Sequence, residues 1–152
     1  MQVKKIKPAE IERLLEKNYG SACNLRRFDV YMNKEGKLFL AYKGLPKHMV
    51  QESMYCLHFG TIKRNGKVHL TIEGSQMVGP TATKNLVVVD EENAYRFMEG
   101  LPTKPVQAVG CEAGNFVIVK FGTYFLGSGV MRQEFLEGYV PKERRLQKTL
   151  KG

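Results

Sequence analysis

Apolar residues recur with helical spacing after Pro8, which predicts a first helix that ends near Gly20. The residues on this stripe are Ile11, Leu14, Leu15 and Tyr19. Proline is tolerated at the first helical position, and glycine readily takes the left-handed conformation that closes a helix. A second stripe follows Asp90, which is a good N-cap, and its members are Ala94, Phe97, Met98 and Leu101. One amphipathic helix is therefore expected to open each half of the chain.

The remaining apolar residues form short runs with the alternation of β-strands. In the first half, two runs flank the turn NKEG and two more flank Asn65-Gly66, a strong hairpin signal because both residues tolerate positive φ. After that turn, Val68, Leu70 and Ile72 alternate with Lys67, His69 and Thr71, which predicts a strand with one buried and one wet face. In the second half, the strand-like runs are NLVVV, VQAVG, NFVIVKFG, TYFLGSGVM and EGYVP.

These elements predict an α+β fold with antiparallel hairpins in both halves. Residues 74–83, GSQMVGPTAT, are small and polar and mark the expected boundary between two domains. We predict an N-terminal α+β domain over residues 1–79 and a second domain over residues 80–152 that ends in a basic tail.

A Gly-x-Gly motif, Gly127 and Gly129, raises the question of a nucleotide-binding loop. Such a loop needs a third glycine and a following helix, whereas here little room remains for a helix before Gly138 and Pro141. Both glycines point to the same face of a strand, which predicts a tight bend or a close contact with another backbone.

The charge of +9 is unevenly distributed along the 152 residues. Residues 1–83 carry 14 basic and 7 acidic side chains, and residues 84–141 carry 5 and 7. Residues 142–152 carry 5 basic side chains and 1 acidic one. A basic excess of this kind favours a polyanionic partner, and nucleic acid is the leading choice because each neutralised phosphate releases counterions.

The sequence offers little support for catalysis or a metal site. Cys23, Cys56 and Cys111 form no C-x-x-C pair, and His48, His58 and His69 lack metal-ligand spacing. Reduced cysteines fit a cytoplasmic protein. The sequence lacks a signal peptide and an apolar run of the ~20 residues needed to cross a bilayer. We therefore expect no catalytic residue, no metal, no cofactor and no membrane contact.

Two basic clusters are candidates for contact with phosphates. The first follows the last strand directly, with Tyr139 beside it, and comprises Lys142, Arg144, Arg145, Lys148 and Lys151. The second is at the predicted hairpin tip and comprises Lys63, Arg64 and Lys67. Basic groups beside aromatic rings on a sheet suit phosphate contact combined with base stacking.

Residues 115–145, NFVIVKFGTYFLGSGVMRQEFLEGYVPKERR, resemble a known family. The Leu-Gly-x-Gly unit at 126–129 and the Pro-Lys at 141–142 followed by basic residues are similar to the C-terminal PUA-like domain of the Sun/Nol-type RNA cytosine-5 methyltransferases. FGTIKRNGKVHLTIEGSQMVGP and KNLVVVDEENAYRFMEG are similar to the same group and to the Nip-type ribosome-biogenesis factors. The resemblance covers roughly residues 54–146 and excludes the catalytic domain of the methyltransferases.

What the resemblance implies is a PUA-like pseudo-barrel of antiparallel strands that binds structured RNA, with its contacts at Lys142, Arg144, Arg145 and Lys148. The sequence analysis thus predicts a non-enzymatic, monomeric RNA-binding protein. Its RNA would be rRNA rather than tRNA, and its role would be in ribosome assembly or RNA modification. The alternative is an accessory subunit that docks on an RNA methyltransferase or assembly factor, for which the apolar Gly-bearing strand and the acidic stretch Asp90–Glu92 are the motivation.

Overall fold

The computed structural model describes residues 2–51 and 56–147, and within them the chain forms two five-stranded sheets. The first sheet is antiparallel and has the order β1-β2-β3-β4-β5, with β1 at Val3–Ile6, β2 at Phe28–Asn33, β3 at Lys37–Tyr42, β4 at Cys56–Ile62 and β5 at Val68–Leu70. The second sheet has the order β10-β9-β8-β6-β7, with β6 at Leu86–Val88, β7 at Gln107–Val109, β8 at Phe116–Phe121, β9 at Tyr124–Met131 and β10 at Leu136–Gly138.

The α-helices of the described residues are α1 at Pro8–Tyr19, α2 at Lys47–Gln51, α3 at Ile72–Val78 and α4 at Glu91–Met98. Both helices predicted from the apolar stripes are confirmed. Gly20 closes α1 in the left-handed conformation with φ of 59°. Asp90 caps α4, since its side chain accepts a hydrogen bond of 2.9 Å from the backbone N–H of Asn93.

The predicted α+β class is confirmed, with one pairing that the sequence did not predict. Strands β6 and β8 are parallel, with Val87 opposite Val119. A parallel pair needs a long crossover connection, and α4 together with β7 supplies it. The strand VKKI that forms β1 was also missed, because its two lysines broke the apolar pattern.

The segment after β5 differs from the sequence expectation. The alternation predicted that the strand continues through Ile72, but it ends at Leu70 and α3 begins. The side chain of Thr71 accepts a hydrogen bond from the backbone N–H of Gly74 at 3.0 Å, which caps the new helix. Residues 74–83 are therefore a helix followed by a short 3-10 turn at Gly79–Thr81, rather than a polar connection.

The Gly-x-Gly strand is packed from both sides, as the motif predicted. A Cβ atom at Gly129 would lie 2.6 Å from the backbone oxygen of Glu137 on β10, so close contact between backbones requires glycine there. Gly127 has a φ of 149° beside a register shift between β8 and β9, and a Cβ there would lie 3.3 Å from the ring of Phe97.

Both halves of the chain contribute to the largest hydrophobic core. It fills the space between α1 and the inner face of the first sheet, and it also includes residues of the second sheet. Its fully buried members include Leu15, Tyr19, Leu38, Leu40, Phe59 and Ile118. A second core lies in the second half around Val87, Phe97, Val119 and Leu136.

Asn85 holds the junction between the two halves through hydrogen bonds of both its side chain and its backbone. Its side-chain amide donates to the backbone oxygen of Asn18 at 2.5 Å and its side-chain oxygen accepts from the N–H of Glu112 at 3.0 Å. Its backbone N–H donates to Gly110 at 3.2 Å, and its carbonyl accepts from Ile118 at 2.9 Å. The residue is fully buried and has a φ of 52°, a conformation that asparagine tolerates better than most residues.

We expect Asn85→Gly to lower the free energy of unfolding by about 2 kcal/mol, because two buried hydrogen bonds are lost and their partners lose a buried contact. Asn85→Ala should cost about 1 kcal/mol more, because alanine also resists the left-handed backbone. Urea denaturation of both variants measures the two costs separately.

Gln76→Ala is the matched control, because Gln76 is exposed on α3. This control should change the free energy of unfolding by no more than about 0.5 kcal/mol. A value for Asn85→Gly equal to that of the control would show that the Asn85 network does not hold the halves together.

Candidate nucleic-acid interface

Three aromatic rings from three distant parts of the chain meet where the two sheets adjoin, and we call them the aromatic cluster. His69 on β5 stacks on Phe116 at the start of β8, with ring centroids 4.7 Å apart and planes at 14°. Tyr139, just after β10, meets His69 edge-on at 4.8 Å and 62°. The cluster therefore joins the first sheet to the second on the surface, where 38% of Tyr139 remains exposed.

Hydrogen bonds between the sheets hold this cluster in place. The hydroxyl of Ser128 on β9 donates to the backbone oxygen of Leu70 at 2.9 Å, so β5 is fixed against the second sheet. The backbone N–H of Tyr139 donates to the backbone oxygen of the same Ser128 at 2.9 Å. Tyr139 and His69, the residue before Leu70, are brought together as a result.

The prediction of a wet face at His69 is correct only in part. The alternation of β5 correctly placed Val68 and Leu70 inside, but His69 on the opposite face is half-buried and contacts Phe116 and Tyr139. Sequence spacing shows only that a residue points away from its own core. It gives no sign that a strand about fifty residues later covers that side.

Burial keeps the His69 imidazole neutral at neutral pH. The pKa of His69 is lowered from 6.5 to about 4, mainly by loss of hydration and also by the positive charges of Lys63 and His58. The aromatic cluster is therefore an uncharged surface with cations beside it.

His58 extends the ring contacts across the first sheet. It lies opposite Phe39 on β3, with ring centroids 5.3 Å apart and planes tilted by 31°. Burial and the charge of Lys37 lower the pKa of His58, and the charge of Glu73 opposes that shift. The Nε2 atom of His58 is buried and has no hydrogen-bond partner among the described residues.

The predicted hairpin tip is confirmed as a three-residue turn at the edge of this region. Lys63 donates its backbone N–H to the oxygen of Lys67 at 2.8 Å, and Gly66 takes a φ of 80°. Lys63 and Arg64 are exposed. The Nζ of Lys67 donates to the backbone oxygen of Gly114 at 3.1 Å, so this lysine ties the tip to the loop before β8.

The predicted C-terminal cluster divides into residues with different environments. Lys142 and Arg144 are exposed in a short 3-10 turn at Lys142–Arg144. Arg144 forms an ion pair with Glu73 of α3 at 2.6 Å. Arg145 is half-buried, and its Nε donates to the backbone oxygen of Val140 at 3.0 Å, so it helps to hold the segment. Lys148 and Lys151 lie outside the described residues.

The cysteines and the potential metal ligands among the described residues bear on the sequence expectation about catalysis and metal binding. Burial is the main cause that raises the pKa of both Cys56 and Cys111, which disfavours the reactive thiolate. Among residues 2–51 and 56–147, no group of three or more His, Cys, Asp or Glu side chains could hold a metal ion. Within the same ranges, no helix has the length and apolar character needed to cross a membrane.

The chain is similar to solved structures of PUA domains. It matches a conserved PUA domain protein from Thermoplasma acidophilum with 14% identity and a TM-score of 0.54, over 90% of this chain and 91% of that one. It also matches a PUA domain from Aeropyrum pernix K1, solved as a tartrate complex, with 16% identity and a TM-score of 0.51, over 90% of this chain and 74% of that one.

These similarities show that the chain has a PUA-like fold, as the resemblance implied. No family model matches the chain, and no curated protein sequence matches it. The finer resemblance to the Sun/Nol-type and Nip-type proteins stays a prediction.

The sequence identified the basic residues and Tyr139 as candidates but missed His69 and Phe116. Tyr139 was proposed because it adjoins the basic tail. Phe116 is the first residue of an apolar strand and His69 is one of three scattered histidines, so neither carried a signal in its neighbours. Only the packing of β5 against the second sheet brings them to Tyr139.

We expect the protein to lose stability as the pH falls from 6.5 to 4. The folded pKa of His69 is about 4 against 6.5 when unfolded, so the unfolded chain binds more protons in this range. Urea denaturation across this range should show a smaller loss for His69→Phe, which keeps a ring but cannot be protonated.

His48→Gln is the control, since His48 is exposed on α2. His58 also has a lowered pKa, so part of the pH dependence should remain in His69→Phe. Identical pH dependence in wild type and His69→Phe would contradict the buried, neutral state of His69.

Proposed function

We propose that this protein binds structured RNA without catalysing a reaction, with rRNA a better candidate than tRNA. Its role would be to hold that RNA during ribosome assembly or RNA modification. The PUA-like fold is the one that the resemblance associates with structured RNA. Because fold alone does not determine function, the proposal has to rest on the surface itself.

The observation that carries the proposal is the position of two basic clusters around one aromatic cluster. Lys63 lies close enough to His69 for its charge to lower the pKa of the imidazole. Lys142 follows Tyr139 by three residues, and Arg144 reaches back to α3 at Glu73. Basic residues about eighty positions apart in sequence thus lie near the same rings, an arrangement suited to phosphate contact beside stacked bases.

The individual cations differ in how easily they could contact phosphate. Lys63, Arg64 and Lys142 are exposed, and we assign them to direct phosphate contact. Arg144 is paired with Glu73, but both side chains are partly exposed, and such pairs contribute only about 0 to 1 kcal/mol. A phosphate can therefore replace Glu73. Arg145 and Lys67 have structural hydrogen bonds. Lys148 and Lys151 lie outside the described residues, and their contact with RNA stays a prediction from the sequence.

The features that favoured an accessory subunit have roles inside the fold. The Gly-bearing strand β9 lies between β8 and β10, so its backbone is already paired on both sides. Asp90 caps α4. RNA binding is therefore the function that the surface supports best.

We expect binding of a labelled rRNA fragment or of total tRNA to weaken linearly on a log–log plot against salt. Lys63→Ala and Lys142→Ala should each reduce the slope by about 0.7, and the double variant by about twice that, because each lysine would neutralise one phosphate. Fluorescence anisotropy across a salt series measures these slopes.

Lys4→Ala is the matched control because it removes the same charge from the opposite edge of the first sheet. Lys4 is exposed on β1, four strands away from β5, so its loss should leave the slope nearly unchanged. Equal effects of all three substitutions would indicate a general charge effect and not a defined face. No binding by the wild type at low salt would refute the proposed function.

A further inference from the structure

The exposed ring of Tyr139 is held more rigidly than a surface tyrosine usually is. Its backbone N–H is bonded to Ser128 at 2.9 Å, and the oxygen of the next residue, Val140, accepts the bond from Arg145. Val140 itself is buried in the second core. The side chain is further restricted by the edge contact with His69.

The rings behind Tyr139 form a fixed support. His69 and Phe116 already stack face to face at 4.7 Å, so these facing surfaces are occupied. Phe116 also lies 6.2 Å from Tyr139 at 61°, so Tyr139 is not stacked on either ring. Because 38% of Tyr139 is exposed while His69 and Phe116 are half-buried, Tyr139 is the ring of this cluster that offers the most surface to a ligand.

We infer that Tyr139 is a stacking platform for an unpaired RNA base, and that the RNA bound at this face is single-stranded at the point of contact. This inference rests on the proposed function and names the class of RNA that the same site takes. Inside a duplex both faces of each base are covered by neighbouring base pairs. Only an unpaired base therefore has a face free to stack on the tyrosine ring. Lys63, whose charge acts on the His69 imidazole, and Lys142, three residues after Tyr139, would then contact phosphates next to this base.

Base stacking and phosphate contact respond differently to salt, which allows them to be separated. Phosphate contact releases counterions and sets the slope of affinity against salt. Stacking on an uncharged ring releases none, and every base has a face, so this contribution should be tolerant of sequence. A rigid ring also loses little conformational freedom when a base binds.

The test compares a labelled single-stranded RNA of about ten nucleotides with the duplex formed with its complement, both across a salt series. Tyr139→Ala and Tyr139→Leu should weaken single-strand binding on the order of tenfold with an unchanged salt slope. Tyr139→Phe should bind as the wild type does, because the face is kept. Duplex binding should be weaker than single-strand binding and should change little in any of these variants.

Tyr124→Ala is the matched control. Tyr124 is 67% exposed at the opposite end of the strand pair β8 and β9, and its loss should leave both kinds of binding unchanged. Urea denaturation of each variant shows whether it is folded, and Tyr139→Leu keeps an apolar side chain against His69 in case Tyr139→Ala is not.

The outcomes separate this inference from the proposed function. Wild-type binding with a steep salt slope, combined with no effect of Tyr139→Leu, would overturn the stacking role and leave RNA binding in place. Equal loss of single-strand and duplex binding would overturn the assignment to unpaired bases. Failure of the wild type to bind these RNAs and also the rRNA fragment and total tRNA at low salt would overturn the proposed function itself.

Discussion

The structure depends on one buried asparagine that meets both halves of the chain. Asn85 has each of its backbone and side-chain polar groups paired, with partners in α1, beside β7, in the turn before β8 and in β8 itself. A buried polar group that lost these partners would be costly, so the positions of all four segments are fixed together. Just before it, Thr83 and Lys84 both donate backbone N–H groups to the oxygen of Tyr19. The end of α1 is thus attached to the start of the second sheet.

From this junction the placement of the surface follows. Once β6 and β8 are attached to α1, Ile118 joins the core beneath the first sheet, and Ser128 on the neighbouring strand bonds to Leu70 at the end of β5. This arrangement places the ring of His69 in contact with the rings of Phe116 and Tyr139. The aromatic cluster is a consequence of how the two sheets are joined, which explains why one of its members is a half-buried histidine with a lowered pKa.

Local signals in the sequence predicted the local structure well, and long-range contacts explain what was missed. The start of α1 at Pro8, its end at Gly20, the cap at Asp90 and the turn at Gly66 depend on residues within a few positions of each other. At Thr71 two local signals competed, since the alternation of β5 continued while the hydroxyl could cap a helix. The helix prevailed because α3 packs against β4 and β9, which no neighbour of Thr71 reveals. The candidate cations and Tyr139 could be selected because they lie close together in sequence. His69 and Phe116 could not, because only long-range contacts bring them to Tyr139.

The charges around the cluster show how a folded surface can remain ready for a polyanion. Arg144 and Glu73 form an ion pair at 2.6 Å, but both side chains are accessible to water, so the pair adds little to stability. Glu73 lies near enough to His58 to oppose the lowering of its pKa, whereas Lys37 and Lys63 act on the two histidines in the opposite direction. The carboxylate of Glu73 therefore does not offset the positive charges of Lys37, Lys63 and Arg144 beside the neutral rings. In the proposed function, an incoming phosphate would take the place of Glu73 on Arg144 and would reduce the repulsion among the cations at the same time. Electrostatics would supply the attraction, and the uncharged rings would determine which part of the RNA comes into contact.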